Sequence, residues 1–203
     1  MENEYWNKFY EGESLNLSFP SQFCLFVIQE LIESDVKNIF EIGCGNGRDL
    51  IFFERYFDNA HGIDASSSAV NSLNMKKKGI ASCVDINDKS FIQLLKKLDI
   101  TKSTAIYSRF FLHAISYKEI ENLLTNIYKN ADRGVKLFFE FRIEDDSSGK
   151  RVTKDHFRNY IDVEIFDKLL GDMFEILYVV SGKGLAKYKK DDAFVSRYIL
   201  EVK

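Results

Sequence analysis

A single proline stands in the 203 residues, and cysteine numbers three. Proline is the residue that interrupts helices and central strands, so its near absence leaves room for dense regular structure. The cysteines Cys24, Cys44 and Cys83 are odd in number, widely spaced and in neither a CxxC nor a CxxH pattern. That argues against a disulfide framework and against a zinc-ligand set, and it reads as thiols kept reduced in the cytoplasm. Basic charge is not in excess either: 28 Lys and Arg face 31 Asp and Glu, for a net charge of −3. The composition therefore carries no electrostatic footprint for nucleic acid. No apolar run approaches a membrane span, and Met1-Glu2-Asn3-Glu4 has acid where a signal peptide has base. Nothing in the pattern assigns an oligomeric state.

What is abundant is core material, with 45% of residues hydrophobic and 18 phenylalanines. That suits one domain over 1–203, with a core from residue 36 onward. From there the pattern alternates strand and helix with short breaks, which predicts a parallel sheet covered on both faces. The expected strands are Asn38–Ile42, His61–Ile63, Ala81–Val84, Thr104–Tyr107, Lys136–Phe141, Phe174–Ser181 and Phe194–Val202. Helix signals lie between them: a capping box at Ser116 and Glu119, possible caps at Asp88 and Asp162, and stops at Gly79 and Gly171. Only Gly182-Lys-Gly184 and a polar stretch separate the last two strands, so they should pair antiparallel. Residues 1–35 supply an aromatic segment, Tyr5-Trp6-Asn-Lys-Phe9-Tyr10, and a helix from Pro20 to about Ser34.

The stretch with most content is Ile39-Phe-Glu-Ile-Gly-Cys-Gly-Asn-Gly-Arg48. A buried strand turning on glycine into a helix exposes backbone N–H groups with little side-chain bulk, where a ligand can lie on main chain. Gly43, Gly45 and Gly47 are spaced G-x-G-x-G after Glu41, not G-x-G-x-x-G as in a dinucleotide fingerprint. This pattern resembles motif I of the class I S-adenosylmethionine (SAM) methyltransferases. The resemblance implies a Rossmann-like α/β/α sandwich, a seven-stranded mostly parallel sheet with an antiparallel C-terminal hairpin, and SAM as cofactor. It also implies roles. Glu41 would orient the loop or the ligand's amino group. Asp64, closing the second strand, would accept from ribose hydroxyls. Asp85 would meet the adenine amine, with Ile86 on the ring. Cys44, Ala65, Ser108 and Trp6 complete the expected cofactor set. Beside this stands the plainer reading, in which the glycines only enter a helix and Asp64 and Asp85 only cap turns.

The acceptor end follows the fourth strand in Tyr107-Ser-Arg-Phe-Phe-Leu-His113. It lacks the Asn/Asp-Pro-Pro-Tyr/Phe motif of amino-methylating nucleic-acid enzymes. Together with Glu140-Phe-Arg142 and Gly184-Leu-Ala186-x-Tyr188, it resembles a bacterial group associated with surface-polysaccharide modification. The implied partner is a small molecule or glycan precursor. Arg109, His113, Arg142, His156, Arg158 and Tyr188 are the candidate acceptor contacts, and arginine forks suit phosphate or carboxylate oxygens. A phosphate oxygen needs no base. For a sugar hydroxyl the base would be His113, with Glu140 second. The alternative pairs Arg109 or Arg142 with Glu140, Asp145 or Asp146 as structure. Likewise 142–163 is an acceptor-side flap or a surface excursion, and the N-terminal aromatics are a lid over the cofactor or a core anchor. A methyltransferase acting on nitrogen or another metabolite, or a non-catalytic SAM-binding partner subunit, is the competing function. NAD chemistry is disfavoured by the glycine spacing and Asp85.

Overall fold

A computed structural model describes residues 2–12, 19–143, 159–188 and 190–203. Two helices come first, α1 (Glu2–Gly12) and α2 (Gln22–Leu31). Strands and helices then alternate as β1 (Asn38–Ile42), α3 (Arg48–Phe53), β2 (Asn59–Asp64), α4 (Ser67–Lys76), β3 (Ala81–Cys83) and α5 (Lys89–Leu98). The chain continues through β4 (Thr104–Arg109), a 3-10 turn at Leu112–Ala114, α6 (Tyr117–Asn130), β5 (Lys136–Arg142), α7 (Val163–Leu170), β6 (Phe174–Tyr188) and β7 (Asp191–Val202).

The sheet runs in the order β3-β2-β1-β4-β5-β7-β6. The first five strands are parallel, and β7 is antiparallel to both β5 and β6. Strand order reverses beside β1, where the chain moves from the β2 side to the β4 side. The carboxyl ends of β1 and β4 therefore border a crevice, the usual ligand position in open α/β sheets.

Burial on both faces explains why the central strands read as unbroken apolar runs rather than alternating ones. On one face Phe40, Ile106 and Phe139 pack with α5, α6 and α7 through Leu95, Leu124 and Phe166. On the other, Ile39, Tyr107 and Phe138 meet Phe23 and Val27 of α2 and Phe53 of α3. Local signals set the helix starts. The Ser116 side chain accepts from Glu119 N while the Glu119 carboxylate accepts from Ser116 N. Asp162 accepts from Glu164 N and Ile165 N, and Gly171 ends α7. Asp88 holds the N-cap position of α5, but its side chain makes no capping bond.

The hairpin departs from expectation. β6 runs on to Tyr188 instead of stopping at Ser181, because a register shift between Gly182 and Ala186 absorbs the two glycines without ending the ladder. Glycine in a strand marks such irregularities.

Candidate active site

The turn after β1 is built from main chain. The N–H groups of Gly43 and Cys44 both donate to Ile63 O at 2.9 Å, tying the loop to the end of β2. Gly43, Gly45 and Gly47 have φ of +75°, +50° and +75°, the left-handed region that costs an L side chain about 1–2 kcal/mol. Space is as restrictive as torsion. A Cβ on Gly43 would lie 2.5 Å from Phe111, one on Gly45 2.3 Å from the Tyr10 hydroxyl, and one on Gly47 2.5 Å from Leu73.

Asp64 binds main chain with both of its oxygens. Its Oδ2 accepts from Gly45 N and its Oδ1 from Ser66 N, each at 2.8 Å. It thus holds the glycine loop from below and also steadies the entry to α4, where Ser66 is the N-cap. Burial pushes the Asp64 carboxyl above the ordinary carboxylate range, against the pull of those two N–H groups. Asp85, whose Oδ1 accepts from Asn87 N at 2.9 Å, follows β3.

Trp6, Gly43, Asp64, Ala65, Asp85 and Ile86 line one pocket, with Phe110 and Phe111 on its β4 side. Glu41, Cys44, Gly45, Gly47 and Ser108 are not among the lining residues and support the pocket from behind. Ser108, for example, donates its hydroxyl to Ile42 O at 2.8 Å. Over the pocket lies α1. Asn7 Oδ1 accepts from Ser66 Oγ at 2.8 Å and Ser68 N at 3.2 Å, pinning the helix to the start of α4. Trp6 and Tyr10 then face the pocket.

Beneath the loop is a buried polar group that pattern reading missed. Asp49, the second residue of α3, accepts from Ser21 N and Ser21 Oγ, both at 2.7 Å, and from the Tyr107 hydroxyl at 2.8 Å. Burial alone would raise its carboxyl. The charges of Arg48 and Arg109 and the Ser21 bonds outweigh that and hold it below the usual range. Asp49 therefore ties α2, α3 and β4 together under the turn. Its sequence signal was only that of an acid in a helix's first turn. Glu41, by contrast, is buried with its Oε2 bonded to nothing among the described residues. Burial first, then the charges of Asp49 and Asp64, push its carboxyl well up.

At the β4–β5–β7 side the site is built from side chains. Glu140 on β5 is buried and accepts from Arg109 Nε through Oε1 and from Arg197 Nε through Oε2, both at 2.7 Å. Arg197, on β7, had no sequence signal at all. Burial works against the Arg109 charge, and Glu140, Tyr107 and Asp49 together more than offset it, so its pKa rises. The Arg109 guanidinium stands 4.0 Å from the Phe110 ring centre, and that of Arg142 5.2 Å from it. Phe110 itself is left-handed at φ +56°, held by its N–H donating to Glu140 O at 2.8 Å. A bulky residue in that region is a strained position of the kind that clusters at ligand sites.

His113 is also buried, and its Nδ1 accepts from Arg142 N at 3.3 Å. A neutral ring in that arrangement carries its proton on Nε2 and has no basic lone pair left over. Glu140 has both oxygens on arginines. The general base expected at His113, with Glu140 second, meets this setting: a backbone N–H faces Nδ1 of His113, and Glu140 sits between two arginines. Arg142 pairs with Asp191 Oδ2 at 2.5 Å. Tyr188 lies at the hairpin end opposite Asp191, 54% exposed and outside the pocket lining. His156 and Arg158 lie outside the described residues, as does most of the expected flap at 142–163. His61, read as structural, bonds Ser82 Oγ at 3.0 Å and stacks on Phe40.

These residues fit a SAM cradle on two observations: glycines whose positions a Cβ would fill, and an orphaned carboxylate oxygen behind them. Comparison with known proteins agrees. Residues 40–137 match the family described as a methyltransferase domain. Among solved structures, a SAM-dependent methyltransferase from Anabaena variabilis superposes with a TM-score of 0.74 at 17% identity, over 99% of this chain and 93% of that one. The N-methyltransferase NodS from Bradyrhizobium japonicum, solved with S-adenosylhomocysteine (SAH), gives 0.69 at 14%, over 98% and 97%. The geranyl diphosphate C-methyltransferase from Streptomyces coelicolor gives 0.69 at 10%, over 100% and 98%. No curated protein matches the chain. Fold, cradle and domain match together support a methyltransferase enzyme with SAM as its cofactor. No helix among the described residues is long and apolar enough to cross a membrane.

Proposed function

We propose that this chain methylates an oxygen of a small anionic acceptor, a phosphoryl- or phosphoramidate-bearing or phosphorylated sugar, as a cytoplasmic step in surface-polysaccharide assembly. The observation that carries the anion is the sharing of Glu140 between Arg109 and Arg197. Two guanidinium groups share one carboxylate, which leaves one charge of the three groups unmatched, and one of the two, Arg109, stands over Phe110 of the pocket wall. An acceptor phosphate would complete that balance through charge-assisted hydrogen bonds. The polysaccharide setting rests on the resemblance of Tyr107–His113, Glu140–Arg142 and Gly184–Tyr188.

When bound, SAM supplies a methyl carbon already activated by its sulfonium. The chain's own task is then positioning and exclusion of water. Gly43 and Asp64 with Asp85 hold the adenosyl end, and α1 closes the pocket as a lid. Arg109 aims the acceptor oxygen. An oxygen already ionised fits a site where His113 and Glu140 offer no base. Residues 1–203 serve as one catalytic domain.

The test is transfer of labelled methyl from SAM to phosphorylated or nucleotide-linked sugars. Arg109→Ala should lower kcat/KM for these acceptors by tenfold or more, as loss of a charged hydrogen bond of about 1.5–3 kcal/mol implies. Binding of SAH should hold. Equal kcat/KM in wild type and variant would remove the anion reading.

A further inference from the structure

Asn87 and Glu119 line the pocket as well, outside the glycine motif and the acidic positions that mark the cofactor cradle. They stand beside apolar side chains from two walls: Val84 and Ile86 after β3, Ala114 and Ile115 before α6. An apolar slot edged by a few polar groups is how proteins hold a flat ring. The two polar side chains are joined, Asn87 Nδ2 donating to Glu119 Oε1 at 2.8 Å across 32 positions of sequence. Glu119 Oε2 is engaged in the capping box, accepting from Ser116 N at 2.8 Å and Ser116 Oγ at 2.6 Å. Burial works to raise the Glu119 carboxyl, and the bonds from Ser116 and Asn87 outweigh it and hold it below the usual range. A carboxylate can only accept, so the Asn87 amide must turn its NH2 to Glu119 and keep Oδ1 for another partner. Asp85 is fixed by the same residue, Asn87 N donating to its Oδ1 at 2.9 Å. Asp85 Oδ2 and Asn87 Oδ1 are left with no bond among the described residues, two acceptors on residues two apart that line one pocket.

We propose, building on Asp85 at the adenosyl end, that Asn87 is a specificity-determining contact for the cofactor's base: Asp85 Oδ2 and Asn87 Oδ1 each accept one hydrogen of the adenine exocyclic amine. Glu119 is then a positioning residue, because it holds the Asn87 amide in its accepting orientation. An amide free to turn presents oxygen to an amine or NH2 to a carbonyl and cannot tell the two apart. Locked, it sets a second acceptor against any base that carries a carbonyl at that place. An acceptor facing an acceptor disfavours the wrong ligand more than a missing contact does. The lock also gives Glu119 a use beyond its own helix. One oxygen completes the capping box of α6, and the other reaches across to Asn87 after β3.

Calorimetry on the full chain with SAH and with S-inosylhomocysteine, which has a carbonyl in place of the adenine amine, tests this without acceptor or turnover. Wild type should prefer SAH by about 100-fold or more. Asn87→Ala should cut that ratio about tenfold through weaker SAH binding, as loss of one hydrogen bond implies. Glu119→Gln keeps the capping box, since glutamine serves there, but a glutamine can donate to the amide as well as accept from it. The ratio should again fall about tenfold, now through tighter binding of the inosine compound. Ser116→Ala weakens the same cap and leaves Asn87 bonded, so it should lower the unfolding midpoint and not the ratio. An unchanged ratio in Asn87→Ala or Glu119→Gln, or an equal fall in Ser116→Ala, would overturn the proposal. Asp85→Ala isolates the reading beneath it. A ratio lost there but kept in Asn87→Ala removes Asn87 alone, whereas a ratio that survives Asp85→Ala, or a wild type indifferent to the base, removes Asp85 from the adenine too.

Discussion

The two sides of the crevice are built by different means. On the β1–β3 side the working surface is backbone: three left-handed glycines, with Asp64 fastening the loop through Gly45 N. On the β4–β5–β7 side it is charge, with Glu140 binding Arg109 from β4 and Arg197 from β7. Main chain positioned by torsion tolerates almost no added bulk but needs few partners. A buried ion group tolerates shape changes but not the loss of a partner. The contrast predicts that the two sides fail differently. Substitution at the acceptor side should first damage stability, whereas substitution at the cofactor side should first damage binding.

The largest effect should come from Glu140→Ala. Removing it leaves two buried guanidinium groups without their carboxylate, which costs about 3–5 kcal/mol when one partner of a buried ion pair is deleted. Urea unfolding at neutral pH reads this directly, and Glu140→Gln should lose less because it can still accept one hydrogen bond. A loss below about 1 kcal/mol for the alanine variant would mean that solvent already screens the group, and the comparison breaks there.

Next is Gly45→Val, expected to weaken SAH binding by about 100-fold or more in calorimetry, since the loop must relieve left-handed strain and the Tyr10 hydroxyl of α1 must be displaced. Gly184→Ala sharpens the point. Gly184 has φ +80° but nothing within 4 Å of its Cβ position, and it lies far along the hairpin. Its substitution should cost about 1 kcal/mol of stability by torsion alone and leave SAH binding intact. If Gly184→Ala weakened SAH as much as Gly45→Val, general destabilisation and not the cradle would explain both.

The same contrast explains what could be read from the chain. Glycine spacing after Glu41 announces the turn because only glycine accepts those torsions, so residue type and geometry are locked together. Ser116 with Glu119 and Asp162 with Gly171 are legible for the same local reason. The parallel order and the antiparallel last pair followed from strand spacing and from the missing helix between β6 and β7. The acceptor side was only half legible. Arg109 and Glu140 stood out, but Arg197, 57 residues beyond Glu140, meets it only because β7 inserts between β5 and β6. Asp49 and Ser21, 28 residues apart, were invisible for a like reason. Tyr188 was suggested by a motif, and β6 carries it to the hairpin end opposite Asp191.

Between the two sides sits α1, and Asn7→Ala measures what its docking adds. Asn7 Oδ1 accepts from Ser66 Oγ and Ser68 N. Partly exposed hydrogen bonds of this kind are worth about 1 kcal/mol net, so SAH should bind about fivefold more weakly while unfolding midpoints hardly move. An unchanged affinity would make α1 a core anchor and not a lid.

The most discriminating change is also the mildest, Glu41→Gln, because it alters one proton and no shape. Burial, with Asp49 and Asp64 nearby, raises the Glu41 carboxyl in the folded chain above its unfolded value. For a carboxyl shifted upward, its contribution to stability is complete below the unfolded pKa and is lost as pH rises through the folded one. Asp64, also raised by burial, has the same sign, whereas Asp49, lowered by Arg48 and Arg109 despite burial, has the opposite one. A glutamine cannot ionise, so the variant should melt with wild type near pH 4 and above it at pH 8, the gap opening through the folded-state titration of Glu41. Parallel melting curves across that range would show that Glu41 is not held neutral. The orphaned Oε2 would then be hydrated, and the cradle would lose the buried acid that sets it apart from an ordinary helix entry.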